Sequence, residues 1–238
     1  MNIICPHCNS TFSADSYMAE EVLHPNIDIT RHSIDRASWT SLAQEINSGY
    51  AYRVISVGDE IQFALKNGLR ISVTAVQDNP YWDNSMAFVL TDALPDPHNM
   101  NDTYTTRGGY PATGMRKYLL DKILPQLPDE LVSVIKPRKI VQKYGNDTFM
   151  CEDKIWLPSY TEMFGNPAQY FKTSEPEDRH FGYFDTEKSR VKMMKNETYW
   201  YWLRSAYDST NFCYVNYYGG NNNYIANTSY GVVFGFLI

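Results

Sequence analysis

The run Tyr199-Trp-Tyr-Trp-Leu-Arg-Ser-Ala-Tyr-Asp-Ser-Thr-Asn-Phe-Cys-Tyr-Val-Asn-Tyr217 has no apolar repeat at the three-to-four spacing of a helix. Aromatic and β-branched residues crowd it, so it reads as strand, loop, strand. Tyr199 to Leu203 and Phe212 to Tyr217 are the expected strands, and Gly231 to Ile238 adds an apolar one. Working outward, Trp39, Leu42, Ala43 and Ile46 recur at helical spacing, with Ser38 as N-cap and Gly49 beyond the end. Ile61, Phe63 and Leu65 alternate into Asn67-Gly68, and Ile71, Val73 and Ala75 alternate out of it, which is a hairpin signature. Met86 to Thr91 is expected to be a third strand of that sheet. Met115, Tyr118, Leu119 and Ile123 form one face of a helix, and Asp129 to Ile135 a second, short one with acidic residues in its first turn. Ile155 to Leu157 reads as a short strand, Ser159 with Glu162 as a capping box, and 173–195 as charged surface loop. Strands, then helices, then strands, without regular βαβ alternation, predict an α+β domain over 36–238, with 1–35 as an N-terminal appendage.

Composition narrows the function. The chain has 238 residues and a net charge of -6, the wrong sign for a protein that neutralises phosphates, so no nucleic-acid partner is expected. No run approaches a membrane span, and the first residues lack the basic and apolar regions of a secretory signal. Synthesis and folding in a cytoplasm follow as an expectation. Four cysteines at uneven spacing make no disulfide framework.

Residues 207–230 stand apart. Six of these 24 residues are Tyr (207, 214, 217, 218, 224, 230), six are Asn (211, 216, 221, 222, 223, 227), and none is Lys, Arg, Glu, Gln, Met or Trp. Tyrosine offers large contact area for two rotatable angles, and Ser, Gly and Asn add adaptable hydrogen bonding, the chemistry of a paratope. A polar hairpin with tyrosines on its pleat and Asn221-Asn-Asn223 in its turn would have the same composition. Alternation puts Phe212 and Tyr214 on one face and Cys213 and Val215 on the other. Cys213 and Val215 are then the expected core side, Ile225 reads as buried, and the tyrosines face outward, where clustered aromatics mark an interaction site.

Several motifs in order, Trp156-Leu-Pro-Ser-Tyr-x-Glu-x-Phe-Gly165, Trp202-Leu-Arg-Ser205, Gly108-Gly-Tyr, Met115-Arg-Lys-Tyr-Leu and Leu127-Pro-Asp-Glu-Leu, resemble an uncharacterised domain of gut bacteria and their phages. The resemblance covers about residues 50–238. Members of that kind include the variable proteins of diversity-generating retroelements, which look like C-type-lectin folds related to the formylglycine-generating-enzyme group. Error-prone reverse transcription at template adenines turns AAY codons into Asn, Tyr, Ser, Thr, Asp, Ala and Gly but never Lys, Glu, Gln, Met or Trp, which is the bias of 207–230. By that resemblance Trp202, Leu203, Arg204 and Ser205 are scaffold. The display positions are Tyr207, Asp208, Ser209, Asn211, Tyr214, Asn216, Tyr217, Tyr218, Asn221, Asn222, Asn223, Tyr224 and Asn227. The chain departs from the pattern in having Gly231-Val-Val-Phe where members often carry Gly-Val-Arg-Pro. The implied function is hypervariable receptor binding, to a protein or glycan on a cell surface, by a homo-oligomer or virion component and without catalysis.

The sequence also carries residues for two other chemistries. Cys5-Pro-His-Cys8 is half of a zinc ribbon; His24 and His32 would complete a structural zinc site, though their separation exceeds the usual spacing. No cofactor is otherwise required, and a zinc-linked phage structural subunit is one alternative. The other is a cysteine-dependent enzyme, for which Cys151 and Cys213 lack a flanking base; each reads as a small buried hydrophobe. His98 and His180 read as surface residues, the acids of 175–187 as a solvated face, and Asp78, Asp83 and Asp92 as too dispersed for calcium.

Overall fold

The computed structural model describes the backbone of Asn2–Ile4 (β1) and Thr11–Ser13 (β2) and the whole of residues 38–165 and 173–238. β1 and β2 pair antiparallel. Ser38 caps helix α1, Trp39–Asn47, by accepting from the Ser41 amide, and α1 buries Trp39, Leu42, Ala43 and Ile46 as its period predicts. The Asn67-Gly68 hairpin forms from β3, Glu60–Ala64, and β4, Arg70–Asp78. β5, Met86–Leu90, pairs with β4, and β16, Gly235–Leu237, joins on its far side to give the antiparallel order β16-β5-β4-β3. A strand from the end of the sequence thus sits next to one from its first half. All five residues of β5 are buried, which an internal strand covered on both faces requires. Trp39 packs edge-on against Phe63, Phe88 and Phe236, with Phe88 and Phe236 stacked at 5.3 Å.

Helix α2, Gly114–Tyr118, continues as a π turn over Leu119–Ile123, and α3, Asp129–Val134, follows. The α+β class is as expected. Three local expectations need correction. Residues 138–153, unassigned from the sequence, form a hairpin of β7, Arg138–Tyr144, and β8, Asp147–Asp153, turned at Gly145-Asn146. Ile155 to Leu157 contributes only an isolated bridge, Trp156 to Gly235. The capping box is present and opens α4, Tyr160–Phe164, but the segment beyond it is not a surface loop. Glu175 and Lys192 are buried, as is the Asp178 side chain, and Phe181 and Phe184 lie in the core. β9, Thr173–Ser174, extends the β7–β8 sheet, and α5, Glu187–Arg190, leads to β10, Lys192–Met194, and β11, Glu197–Tyr199. Among the described residues no helix is long and apolar enough to cross a membrane.

Candidate functional site: an aromatic sheet face

β12, Tyr201–Ala206, β13, Asn211–Val215, and β14, Asn221–Ile225, form an antiparallel sheet in that order. The hairpin turn is Asn216 to Gly220, so Asn221-Asn-Asn223 lies in a strand rather than in the turn. Two glycines make this possible. Gly219 has φ +83°, and a Cβ on it would sit 2.0 Å from the Glu187 carbonyl oxygen, so neither its conformation nor its surroundings admit a side chain. The Asn216 carboxamide oxygen accepts from the Tyr218 and Gly220 amides, at 2.9 and 3.0 Å. Arg190, at the end of α5, donates from Nε to the Gly219 carbonyl and from Nη1 to that of Phe184, tying the turn to the core.

One face of this sheet carries a continuous aromatic cluster. Trp202 and Tyr214 are register partners, and Tyr230 lies over both, at 4.7 and 5.0 Å between ring centroids. Trp200 stands edge-on to Tyr230 at 5.2 Å and stacks on Tyr217 at 5.8 Å and 15°. Tyr217 meets Tyr218 at 4.2 Å, and Tyr224 approaches Tyr230 at 6.1 Å. Trp202, Tyr214 and Tyr230 are buried, while Tyr217, Tyr218 and Tyr224 are 40, 69 and 47% exposed. The rings therefore grade from a fixed interior to an open rim, and paired aromatics of this geometry stabilise one another beyond their area. The hydrogen bond between Tyr217 and Tyr218 pushes the Tyr217 hydroxyl pKa up from its ordinary value.

The thirteen expected display positions divide into three groups. Ser209, Tyr217, Tyr218, Asn221, Asn222, Tyr224 and Asn227 are exposed. Asp208, Asn211, Asn216 and Asn223 spend their side chains internally: Asp208 accepts from the Thr210 and Asn211 amides at 2.8 Å, and Asn211 donates to Asn223 at 2.7 Å. Tyr207 packs half-buried against the core, and Tyr214 is 6% exposed. Outward-facing Tyr214 is thus a corrected expectation, because aromatic rings cover that face of β13 and all of Phe212 to Val215 is buried. Ile225, expected inside, is 40% exposed on the outer strand. The sequence reading also missed Trp200, which lies outside 207–230 yet is the ring on which Tyr217 rests. Its place in the aromatic Tyr199-Trp-Tyr-Trp202 run was the available signal.

Beneath the sheet the scaffold is held by a buried ion network. Arg204 donates from Nη1 to the Leu157 carbonyl at 2.6 Å and to Glu162 at 2.8 Å, and from Nη2 to Asp178; Arg138 pairs with Glu162 and Asp178. Glu175 accepts from Ser205 at 2.6 Å and Gln142 at 2.9 Å. Burial opposes ionisation of Glu162, but the Arg204 and Arg138 guanidiniums outweigh it and hold the carboxyl at about 2. Burial and then Asp178 push Glu175 the other way, up to about 7. The acids of 175–187 are consequently not all a solvated face; Asp178 joins Glu162 in balancing the two buried guanidiniums, and Glu175 is buried as a hydrogen-bond acceptor.

Cys213 is buried and Cys151 half-buried, and both are free thiols. Burial raises the Cys213 pKa, and burial together with Asp153 pushes Cys151 up to about 12, which is the opposite of what activates a thiol nucleophile. His98 is not a free surface residue: it stacks on Tyr118 at 4.2 Å and its Nδ1 lies 2.7 Å from the Asn99 carbonyl. His180 faces Asp185 at 3.5 Å. Cys5, Cys8, His24 and His32, the expected zinc ligands, lie outside the described residues. Among the described residues no group of three or more His, Cys, Asp or Glu is placed to hold a metal. Residues 84–237 match a family model described as Domain of unknown function (DUF6273). No curated protein and no solved structure matches the chain.

Proposed function

The chain belongs to the DUF6273 family, the match taking in well over half of its length, and from that premise we propose that it is a ligand-binding protein whose binding face is the Tyr/Asn sheet. The observation that carries this reading is the graded aromatic cluster, in which exposed Tyr217 stacks on half-buried Trp200 and meets Tyr218, exposed Tyr224 approaches buried Tyr230, and Trp202 and Tyr214 pack against Tyr230 in the interior. Rings held by rings lose little conformational freedom on binding, which is how aromatic anchors become the energetic centres of interfaces. Exposed Asn222, which alternates onto the same face of β14 as Tyr224, adds an adaptable donor and acceptor beside them.

We read the scaffold as C-type-lectin-like and the segment as the diversified region of a retroelement target protein. Two features support this: β16 closing onto β5, and a segment shortly after Trp202-Leu-Arg-Ser205 whose amino-acid composition is the one that varied AAY codons would give. The ligand on this reading is a protein or glycan of a cell surface, and the residues act by recognition without catalysis. The test is the double substitution Tyr217→Ala with Tyr218→Ala, assayed for capture on arrayed surface proteins and glycans and on intact bacterial cells. Stability should change by less than ~1 kcal/mol, as befits exposed rings, while capture falls at least ~10-fold, the loss of one anchor. Undiminished capture by the folded double variant would refute the proposal.

A further inference from the structure

A second concavity lies beside the sheet, at the end where β12 turns into β13. It has a volume of about 250 Å³ and is lined by Thr105, Arg107, Gly108, Tyr144, Asp147, Phe149 and Ser209, with Thr106 at its base. Thr106 anchors one wall to another, its amide donating to the Ser209 carbonyl at 3.0 Å and its hydroxyl to that of Asp208 at 2.6 Å. The glycine pair behind it is obligatory. A Cβ on Gly109, at φ +62°, would lie 2.9 Å from the Phe149 ring and 2.7 Å from Gln142 Oε1, and the Tyr110 amide donates to that same oxygen at 2.7 Å. The walls are therefore built from the backbone outward.

The charges are what remain unexplained. Arg107 and Asp147 line the same cleft and are both exposed, yet they form no ion pair with each other, and neither side chain has a partner among the described residues. Two opposite charges on separate loops, with the Tyr144 and Phe149 rings and the Thr105 and Ser209 hydroxyls around them, match a ligand that carries both signs. The volume falls just under the ~300 Å³ at which drug-sized sites begin, so the ligand is a small metabolite. We propose that this cleft binds a zwitterion of amino-acid size, with its carboxylate on Arg107, its ammonium on Asp147 and an apolar or aromatic side chain against Tyr144 and Phe149. Of its lining residues Ser209 is also a display position, but the proposal rests on Arg107 and Asp147, and its failure would leave the reading of the tyrosine face untouched.

The test uses the full chain and calorimetric titration with L-phenylalanine, its N-acetyl derivative and its amide. Removing either ligand charge should weaken binding at least ~10-fold, through the loss of a charge-assisted hydrogen bond. The variants should show crossed relief: Arg107→Gln should bind the amide as well as it binds the free amino acid, and Asp147→Asn should do the same for the N-acetyl form. Both residues are exposed, so both variants should melt with the parent. Absence of L-phenylalanine binding, equal binding of the blocked forms, or penalties unchanged in the two variants would each overturn the proposal.

Discussion

Gly219 shows at the scale of one residue why the segment 207–230 cannot accept every substitution. It lies among the tyrosines, yet its positive φ and the Glu187 carbonyl against it leave no room for a side chain. Gly219→Ala should therefore cost more than ~1 kcal/mol in chemical denaturation, whereas Asn222→Ala, on the exposed strand, should cost less than ~0.5 kcal/mol. Equal costs would mean that the turn is not the constraint described. Glu175 supplies a second residue-level prediction. Its folded pKa, about 7, lies above an unfolded value near 4.5, so its stabilising contribution is complete below about pH 4.5 and is lost as pH rises through 7. Glu162 has the opposite sign, and its contribution is lost only as pH falls from 4.5 through 2. Unfolding free energy should fall between pH 5 and 8, and Glu175→Gln should flatten that fall by at least ~1 kcal/mol, the worth of one pKa unit. A stability that rises across the same interval, or a variant with the parent's slope, would contradict the buried-acid assignment.

Elements divide into those a local pattern specifies and those it does not. Helix α1, the Asn67-Gly68 hairpin and the capping box at Ser159 are each written in neighbouring residues, and each forms as the pattern predicts. The β7–β8 hairpin was legible too, since Gly145-Asn146 is a two-residue turn between Ile140-Val141 and Phe149-Met150, but its charged flanks disguise the alternation. β14 was not legible: three consecutive asparagines favour a turn, and only the glycine pair before them moves the turn upstream. Burial of Glu175 and Asp178 depends on Arg138 and Arg204, 26 or more residues away in sequence, and no local pattern encodes it. The burial of the two sides of β13 was read half correctly for the same reason. Alternation identifies two sides of β13, but not that rings from Trp200, Trp202 and Tyr230 cover the outer one. Because Arg190 donates to the Gly219 carbonyl, Arg190→Ala should accelerate amide exchange at residues 216–220 while leaving β12 protected. Acceleration spread evenly over the sheet would show that Arg190 supports the whole scaffold instead.

Across the whole molecule, fixed and changeable surfaces lie within a few residues of each other. β16 closes the four-stranded sheet, the Arg138–Glu162–Arg204–Asp178 network locks β12 and β7 to α4, and the aromatic cluster grows outward from that base. On the proposed reading, substitution at the rim would change what is bound without changing what holds it, which is the property a diversified binder needs. The most direct measurement is deep sequencing of codons 199–238, with the flanking DNA, across a natural population of the source. The account predicts substitutions concentrated at 209, 217, 218, 221, 222, 224 and 227, matching adenines of a nearby near-copy, with 212–215, 219, 226 and 230 unchanged. A segment 207–230 as constant as Trp202-Leu-Arg-Ser205, or one that varies as freely at Gly219 and Tyr214 as at Tyr218, would contradict it.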